Sequence, residues 1–129
     1  MRLLLDTHAW LWMIAEQERF SAETTALLED SANNLLLSAV SSWEIAIKYS
    51  LGKLSLPSSP AKYIPAQIEE TGVTPLAIEH SHALRVAALP AHHRDPFDRL
   101  LVAQAELEGA TVLTADRQFA PYGIPIQWA

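Results

Sequence analysis

The stretch RLLLDTHAWLW, residues 2–12, begins with a continuous apolar run that ends at an acid, Asp6. Such a run is typical of a strand that is covered on both faces, as strands in parallel sheets are. A second run, Thr111–Leu113, is followed after a short step by another acid, Asp116. If the two runs are neighbouring parallel strands, both acids lie at the sheet edge where such folds bind ligands.

Composition narrows the class of protein. The chain has 129 residues, 50% hydrophobic and 19% charged, so we expect a single domain over residues 1–129 with a substantial core. There is no cysteine, which excludes disulfides and cysteine-bound zinc and suits a reducing cytoplasm. Asp6 interrupts the first apolar run, so a signal peptide is not expected, and no stretch approaches the roughly 20 apolar residues of a membrane span.

The formal net charge is −6, which argues against bulk electrostatic capture of nucleic acid. It does not exclude an anionic substrate, because metal ions bound at clustered acids reverse the charge locally.

Short apolar runs alternate with helical patterns along the chain. This alternation predicts an α/β fold of three layers, in which a central, mostly parallel sheet has helices on both faces. Ser59-Pro60 and Asp95-Pro96 each indicate a helix N-cap followed by a first-turn proline. We predict strands at residues 2–5, 35–37, 73–76, 111–113 and 126–128, and helices at about 7–16, 21–30, 39–51, 59–72, 79–89 and 95–109.

Glu44 falls on the apolar stripe of a predicted helix. It shares one face with Val40 and Ile47, where an acid is costly to bury unless something compensates its charge. Two structural explanations are open as well. Ser41 stands three residues before Glu44, as in a capping box, and Lys48 four residues after it suits an ion pair on a solvated face.

Asp98 repeats this pattern on another helix, on one face with Leu101. Its position in the first turn, where the helix dipole favours negative charge, is the alternative to a functional role. Asp95 is most simply the N-cap and ranks second as a metal ligand acting through water. Helix capping is the corresponding alternative for Asp6 and Asp116.

The four acids are more informative together than singly. Capping would have to explain Asp6, Glu44, Asp98 and Asp116 by coincidence at the same end of the domain. Converging carboxylates, with no cysteine and little histidine nearby, are what a site for Mg²⁺ or Mn²⁺ requires. The pattern therefore indicates a metal site able to support phosphodiester hydrolysis.

Over nearly its whole length the chain resembles PIN domains, and more narrowly the VapC-type toxins of toxin–antitoxin pairs. The resemblance is carried by LLLDTHAWLW (residues 3–12), SAVSSWEIAIKYSLGKL (38–54) and HRDPFDRLLVAQAELEGATVLTADRQF (93–119). By position in these motifs, the acids that match the family's catalytic and metal-binding quartet are Asp6, Glu44, Asp98 and Asp116. Thr114 matches a hydroxyl residue that family members often place two residues before the last acid.

The resemblance implies a PIN-like fold and an endoribonuclease dependent on Mg²⁺ or Mn²⁺. Its RNA cleavage would be held in check by a cognate antitoxin protein, and the protein would commonly form a homodimer. We expect Asp6, Asp98 and Asp116 to form the inner cluster, with Glu44 as a ligand or a water-positioning base. A non-catalytic RNA- or protein-binding protein with the same fold is the alternative.

Cations near the acidic motifs are candidates for contacts with substrate phosphates. Arg99, Arg117 and Lys48 lie within a few residues of the acids, and Arg99, beside Asp98, is the strongest candidate. Neutralising the acids or facing solvent is the competing role for each.

The histidine pairs and the tryptophans of the site motifs are predicted to have structural roles. The pairs His80/His82 and His92/His93 match no zinc spacing, so we predict that they are exposed to solvent. The tryptophans of the site motifs, Trp10, Trp12 and Trp43, are predicted to lie in the core rather than to stack on nucleic acid. The first helix is apolar nearly all round, which also suits an interface with a second copy or an antitoxin helix.

Overall fold

The structure, a computed structural model, describes residues 1–129 and contains one five-stranded sheet. The spatial order of the strands is β3-β2-β1-β4-β5, and every neighbouring pair is parallel. The predicted three-layer α/β architecture is therefore confirmed. The strands are β1 (Arg2–Leu5), β2 (Asn34–Ser38), β3 (Thr74–Leu76), β4 (Thr111–Thr114) and β5 (Ile126–Trp128).

Six α-helices connect and cover the strands, and none combines the length and apolar content that crossing a membrane requires. The helix predicted at 79–89 is shorter than expected, because Leu89 precedes Pro90 and is held in an extended conformation. Its last turn tightens into a 3₁₀ helix, Val86–Ala88. The α-helices are α1 (Thr7–Ala15), α2 (Ala22–Glu29), α3 (Ala39–Ser50), α4 (Pro60–Thr71), α5 (His80–Arg85) and α6 (Pro96–Glu108), and the other 3₁₀ helices are Gln17–Arg19 and Arg117–Tyr122.

Helix ends follow the predicted signals with one exception. The Asp95 carboxylate caps α6, and Gly109 ends it at a φ of +61°, in the left-handed region that suits glycine. Ser59 makes no side-chain cap at α4, which corrects the prediction for that residue. Pro60 starts α4 without such a cap, since its fixed φ is already helical and it has no N–H to satisfy.

Strand order places an open crevice between β1 and β4. The chain passes from β1 through β2 to β3 on one side, and then returns to lay β4 on the other side of β1. Connections that leave neighbouring strands in opposite directions open a crevice at their carboxyl ends. Leu5 pairs with Leu113, and the Asp6 N–H donates to the Leu113 carbonyl at 3.1 Å, so the two strand ends are level.

Two apolar clusters fill the space on either side of the sheet. Successive residues of β1 point to opposite faces, with Leu4 packed in a cluster that contains Leu101 of α6. Leu5 packs in the other cluster, which contains Trp10 of α1. Burial on both faces explains why β1 is apolar at consecutive positions rather than alternate ones.

His82 is buried, which corrects the prediction that it is solvent-exposed. Its Nδ1 accepts the Glu79 N–H at 3.0 Å and so satisfies the N-terminus of α5. Its Nε2 lies 3.1 Å from a carboxylate oxygen of Glu108 on α6, and this hydrogen bond lowers the pKa of Glu108. The imidazole therefore fastens α5 to α6.

A second buried polar contact fastens α6 to the beginning of α3. Gln104 of α6 is fully buried, and its Oε1 accepts a hydrogen bond from the Ser38 hydroxyl at 2.5 Å. Its Nε2 donates to the Ala77 carbonyl at 3.2 Å. The Ser38 oxygen in turn accepts the Val40 N–H at 3.0 Å and caps α3. Because α3 and α6 each carry a predicted site acid, this contact sets the relative position of those acids.

Gln104→Leu is expected to lower the free energy of unfolding by about 2 to 3 kcal/mol. Leucine has a similar size but leaves the Ser38 hydroxyl and the Ala77 carbonyl without their partner in the interior. Urea unfolding at neutral pH measures the loss, with Gln118→Leu at an exposed position as the control. An unchanged midpoint for Gln104→Leu would show that the buried contact contributes nothing to stability.

Candidate functional site

Asp6 lies buried at the carboxyl end of β1, in the crevice beside β4. One carboxylate oxygen, Oδ1, accepts the Ala9 N–H at 2.7 Å and caps α1. The other, Oδ2, accepts a hydrogen bond from the Thr114 hydroxyl at 2.5 Å. Burial raises the pKa of Asp6, and the nearby charge of Asp116 raises it further. The acid therefore caps a helix and stands in the crevice at the same time.

Asp116 follows the end of β4 and is more open to solvent. Its Oδ1 accepts the Gln118 N–H at 2.9 Å, which leaves Oδ2 free of the cap. The Asp116 N–H donates to the Thr114 hydroxyl oxygen at 2.9 Å. Thr114 therefore links the first and last acids of the sequence through a single hydroxyl group.

Glu44 is buried near the middle of α3. Ser38 caps this helix, so the capping box from Ser41 is not formed. The carboxylate instead accepts a hydrogen bond from the Thr7 hydroxyl at 2.7 Å, and its other oxygen lies 2.5 Å from the Lys48 ammonium. The pairing with Lys48 considered from the sequence does form, but on a buried carboxylate rather than on a solvated face.

Asp98, in the first turn of α6, has a raised pKa, as Asp6 does. Burial and the charge of Asp95 raise the pKa of Asp98 to about 7, and the charge of Glu44 adds to the effect. The hydrogen bond that Lys48 donates to Glu44 raises the pKa of Lys48, as do the charges of Asp95 and Asp98. These four groups therefore act on one another electrostatically, although they come from two helices.

His93 joins the acids, which corrects the prediction of a solvent-exposed loop histidine. Its side chain is only 9% exposed, and its Nε2 lies 2.8 Å from Oδ2 of Asp98 and 3.8 Å from Oδ2 of Asp116. The His93 N–H donates to the Tyr122 hydroxyl at 2.9 Å, which folds the loop back toward the sheet edge. Ligand atoms of His93, Asp98 and Asp116 all lie within 4.8 Å of one another.

This group of three differs from the predicted inner cluster, because His93 stands where Asp6 was expected. Both oxygens of Asp6 accept hydrogen bonds, as do both oxygens of Glu44, and neither acid belongs to the closest group. Carboxylate oxygens suit Mg²⁺ and Mn²⁺, and imidazole is a ligand for later transition metals as well. The raised pKa of Asp98 marks a carboxylate whose charge is poorly compensated, so the donor set fits a divalent cation.

The candidate phosphate contacts are engaged within the protein. Arg99 donates to the carbonyl oxygens of Pro90 at 2.8 Å and Val86 at 3.1 Å. It clamps the loop before α6, which corrects its assignment as the strongest phosphate contact. The guanidinium of Arg117 lies over the Trp128 ring, 4.1 Å from the centroid.

The three tryptophans of the site motifs have different environments. Trp10 is fully buried, as predicted, and Trp12 is partly buried with its ring edge-on to Phe20. Trp43 is 48% exposed, so its prediction as a core residue is wrong. It lies on the side of α3 away from the core, and its ring contacts Phe97.

A groove of about 400 Å³ runs along α1. One end lies at His8, which also borders the crevice containing Asp6 and Asp116. The groove therefore adjoins the site, since His8 and Trp12 line both. Its apolar lining includes Leu11, Trp12, Leu54, Leu56 and Tyr63.

Comparison with known sequences identifies matches over most of the chain. The PIN domain family profile matches residues 3–124. Ribonuclease VapC22 of Mycobacterium tuberculosis is 31% identical over 127 residues, covering 95% of this chain and 93% of that protein. Ribonuclease VapC16 of the same organism is 48% identical over 60 residues, covering 46% of this chain and 43% of that protein. The second match thus spans less than half the length of the relative.

Solved structures share the fold at low sequence identity. VapBC2 from Rickettsia felis, bound to a DNA fragment from its promoter, aligns with a TM-score of 0.73 at 14% identity, covering 99% of this chain and 98% of that chain. DNA-bound VapBC from Salmonella typhimurium aligns with a TM-score of 0.71 at 18% identity, with the same coverage. At this level of identity the likeness shows the fold alone.

The pKa of Asp98 predicts how stability depends on pH without a metal. Since the folded protein holds this proton up to about pH 7 and an unfolded aspartic acid releases it near 3.8, stability from this group is present below pH 3.8 and is lost as pH rises through 7. Asp98→Asn removes the effect. In chelator, the variant should gain stability over the parent by on the order of 4 kcal/mol between pH 4 and 8, since about three pKa units separate the folded and unfolded values.

Thermal unfolding of both proteins across this pH range measures the difference, and Asp30→Asn, at an exposed turn, serves as the control. A constant difference between variant and parent at every pH would contradict the raised pKa.

Proposed function

This chain belongs to the PIN domain family, and from that premise we propose that it is an endoribonuclease dependent on Mg²⁺ or Mn²⁺, the toxin of a toxin–antitoxin pair. One observation carries the proposal. The carboxylates of Asp98 and Asp116 lie close together in the crevice at the carboxyl ends of β1 and β4, with Asp6 and Glu44 beside them. Two relatives of this chain are ribonucleases by name, VapC22 and VapC16. We further propose that residues 1–129 form a single domain.

The acids have different proposed roles, according to their positions. Asp98 and Asp116 would hold the cation, with His93 and Asp6 bordering it. When bound, a divalent cation supplies Lewis-acid stabilisation of the charge that develops on the scissile phosphate. Glu44, held by hydrogen bonds from Thr7 and Lys48, would orient the attacking water.

Thr114 is a positioning residue in this scheme. Its hydroxyl donates to Asp6 and accepts from the Asp116 N–H, so it sets the distance between the ends of β1 and β4. Asp95 caps α6 through one oxygen and contributes negative charge that keeps the pKa of Asp98 high.

Substrate phosphates require cations that are not already paired. Lys53 and Arg94 make no ion pair, and Lys53 lines a cavity with Lys48 and His8 beside Thr7. We include Lys53 and Arg94 as contacts for the RNA backbone. Lys48 and Arg117, the candidates predicted from the sequence, would have to leave Glu44 and the Trp128 ring to join them.

The groove along α1 is the proposed site for the antitoxin. The VapBC structures that share this fold contain a toxin with its antitoxin. An apolar antitoxin segment seated against Trp12 would end at His8, next to the acids, and would close the crevice to RNA. We also propose that the free protein is a homodimer.

Purified protein freed of antitoxin is expected to cleave RNA from its host into discrete fragments in Mg²⁺ or Mn²⁺ and to leave it intact in chelator. Asp98→Asn and Glu44→Gln should each lower the cleavage rate by at least about 100-fold, since each removes a charge at the reacting centre. Glu69→Gln, at an exposed position of α4, is the matched control and should cleave like the parent.

Gel separation of end-labelled RNA measures these rates. If RNA stays intact although calorimetry shows that Mg²⁺ binds, the protein is a non-catalytic binding protein with this fold, and the proposal is wrong.

Asp95→Asn separates capping from catalysis. Asparagine caps helices about as well as aspartate, so the melting temperature should change little. Loss of the Asp95 charge should lower the pKa of Asp98, and the acidic limb of the pH–rate profile should move to lower pH while the maximal rate stays within about threefold. A fall comparable to that of Asp98→Asn would instead place Asp95 among the catalytic residues.

A further inference from the structure

We propose that Trp43 and Phe97 form a stacking site for an unpaired nucleobase of the RNA substrate. The inference rests on the proposed function and deepens it, because it adds an aromatic contact for the RNA beside the acids. It stands on three features of the structure: the exposure of Trp43, its position beside two site acids, and the shortage of free cations.

In the aromatic pair, the Trp43 ring is partly exposed to solvent and the Phe97 ring is packed against the core. The ring centroids of Trp43 and Phe97 are 4.8 Å apart, with an angle of 76° between the ring planes. Phe97 packs against the apolar cluster beneath α6, and its N–H donates to the Asp95 cap at 2.8 Å. Trp43 rests on this anchored ring and remains 48% exposed. An indole held in this way offers a flat apolar surface at little cost in conformational entropy.

The position of the pair links it to the proposed reaction. Trp43 directly precedes Glu44 on α3, and Phe97 directly precedes Asp98 on α6. The two acids are close enough for the charge of Glu44 to raise the pKa of Asp98. The aromatic surface therefore borders the acidic group on the side where α3 meets α6. In the proposal, a nucleotide whose phosphate lies at the acids places its base against this surface.

Charge gives a separate reason why such a surface is needed. Proteins usually hold RNA through several lysine and arginine contacts to phosphate. This chain has a net charge of −6 and nine cations, and six of those nine are already engaged. The engaged cations are Arg2, Arg19, Lys48, Arg85, Arg99 and Arg117, which leaves Lys53, Lys62 and Arg94.

Stacking contributes affinity without any charge on the protein. Every base has a π face, so an aromatic platform accepts any base, but only one that is unstacked and unpaired. The combination of few free cations and one exposed indole beside the acids therefore favours a stacking contact with an unpaired base.

Binding is tested in the Asp98→Asn background, so that the RNA is not consumed. The probe is a fluorescein-labelled 10-nucleotide RNA without self-complementarity, in Mg²⁺, alone or annealed to its complement. Trp43→Ala should weaken binding of the single strand by about 5- to 100-fold, the range expected for loss of one stacked base. Trp43→Phe, which keeps a π face, should recover most of the affinity. Leu84→Ala removes an exposed apolar side chain of α5 and should have no effect.

Cleavage provides the second measurement. With Asp98 intact, Trp43→Ala should raise KM for unpaired RNA by a similar factor and leave kcat within about threefold, and Trp43→Phe should restore KM. Equal affinity of Trp43→Ala and its parent for the single strand would overturn the stacking site. The proposal also falls if Trp43→Ala changes the number of subunits measured by light scattering, because Trp43 would then be covered by a second copy.

The two proposals fail in different ways. If the parent protein cleaves no RNA but binds the single strand through Trp43, the stacking site stands and the endonuclease activity does not. If cleavage depends on metal and Asp98 but is indifferent to Trp43, the endonuclease activity stands and the stacking site does not.

Discussion

The parallel pairing of β1 with β4 is the constraint on which the site depends. Leu5 and Leu113 are in register, so the acids that follow the two strands leave the sheet at the same level. Strand order then keeps the space above them open, because the connections from β1 and β4 depart in opposite directions. A shift of one residue in this register would turn every side chain of β1 to the other face and carry Asp6 away from Thr114.

The buried carboxylates near this crevice each accept hydrogen bonds that offset part of the cost of burying their charge. Thr114 donates to Asp6, and Thr7 and Lys48 donate to Glu44. The two threonines come from neighbouring elements, and Lys48 lies one turn further along the same helix as Glu44. Compensation is incomplete, because burial raises the pKa of Asp6 and, together with the charge of Asp95, raises the pKa of Asp98 to about 7. Both carboxylates therefore gain from a bound cation.

The sequence predicted the architecture because it follows from local patterns, and it placed Asp98 and Asp116, two members of the closest group, at the same edge of the sheet. Apolar runs defined the strands, and Asp95-Pro96 defined the start of α6. The role of His93 could not be predicted from the sequence. It depends on a loop that the Tyr122 hydroxyl folds back, and this contact joins residues far apart in the chain. The role of Arg99 was missed for a similar reason, because adjacency to Asp98 in sequence says nothing about which carbonyl groups surround a long side chain.

Gln104 and Arg99 hold different parts of the crevice in different ways. Gln104 joins α6 to the capped end of α3, so the helices bearing Asp98 and Glu44 behave as a single rigid block. Arg99 reaches from the same block to the loop that carries His93 and holds it by its main-chain carbonyl groups alone. Main-chain tethering does not depend on side-chain identity, so positions of this segment other than His93, whose ring contacts Asp98, can vary in sequence while its path is preserved. The loop before α6 can therefore change in sequence without moving the acids on α3 and α6.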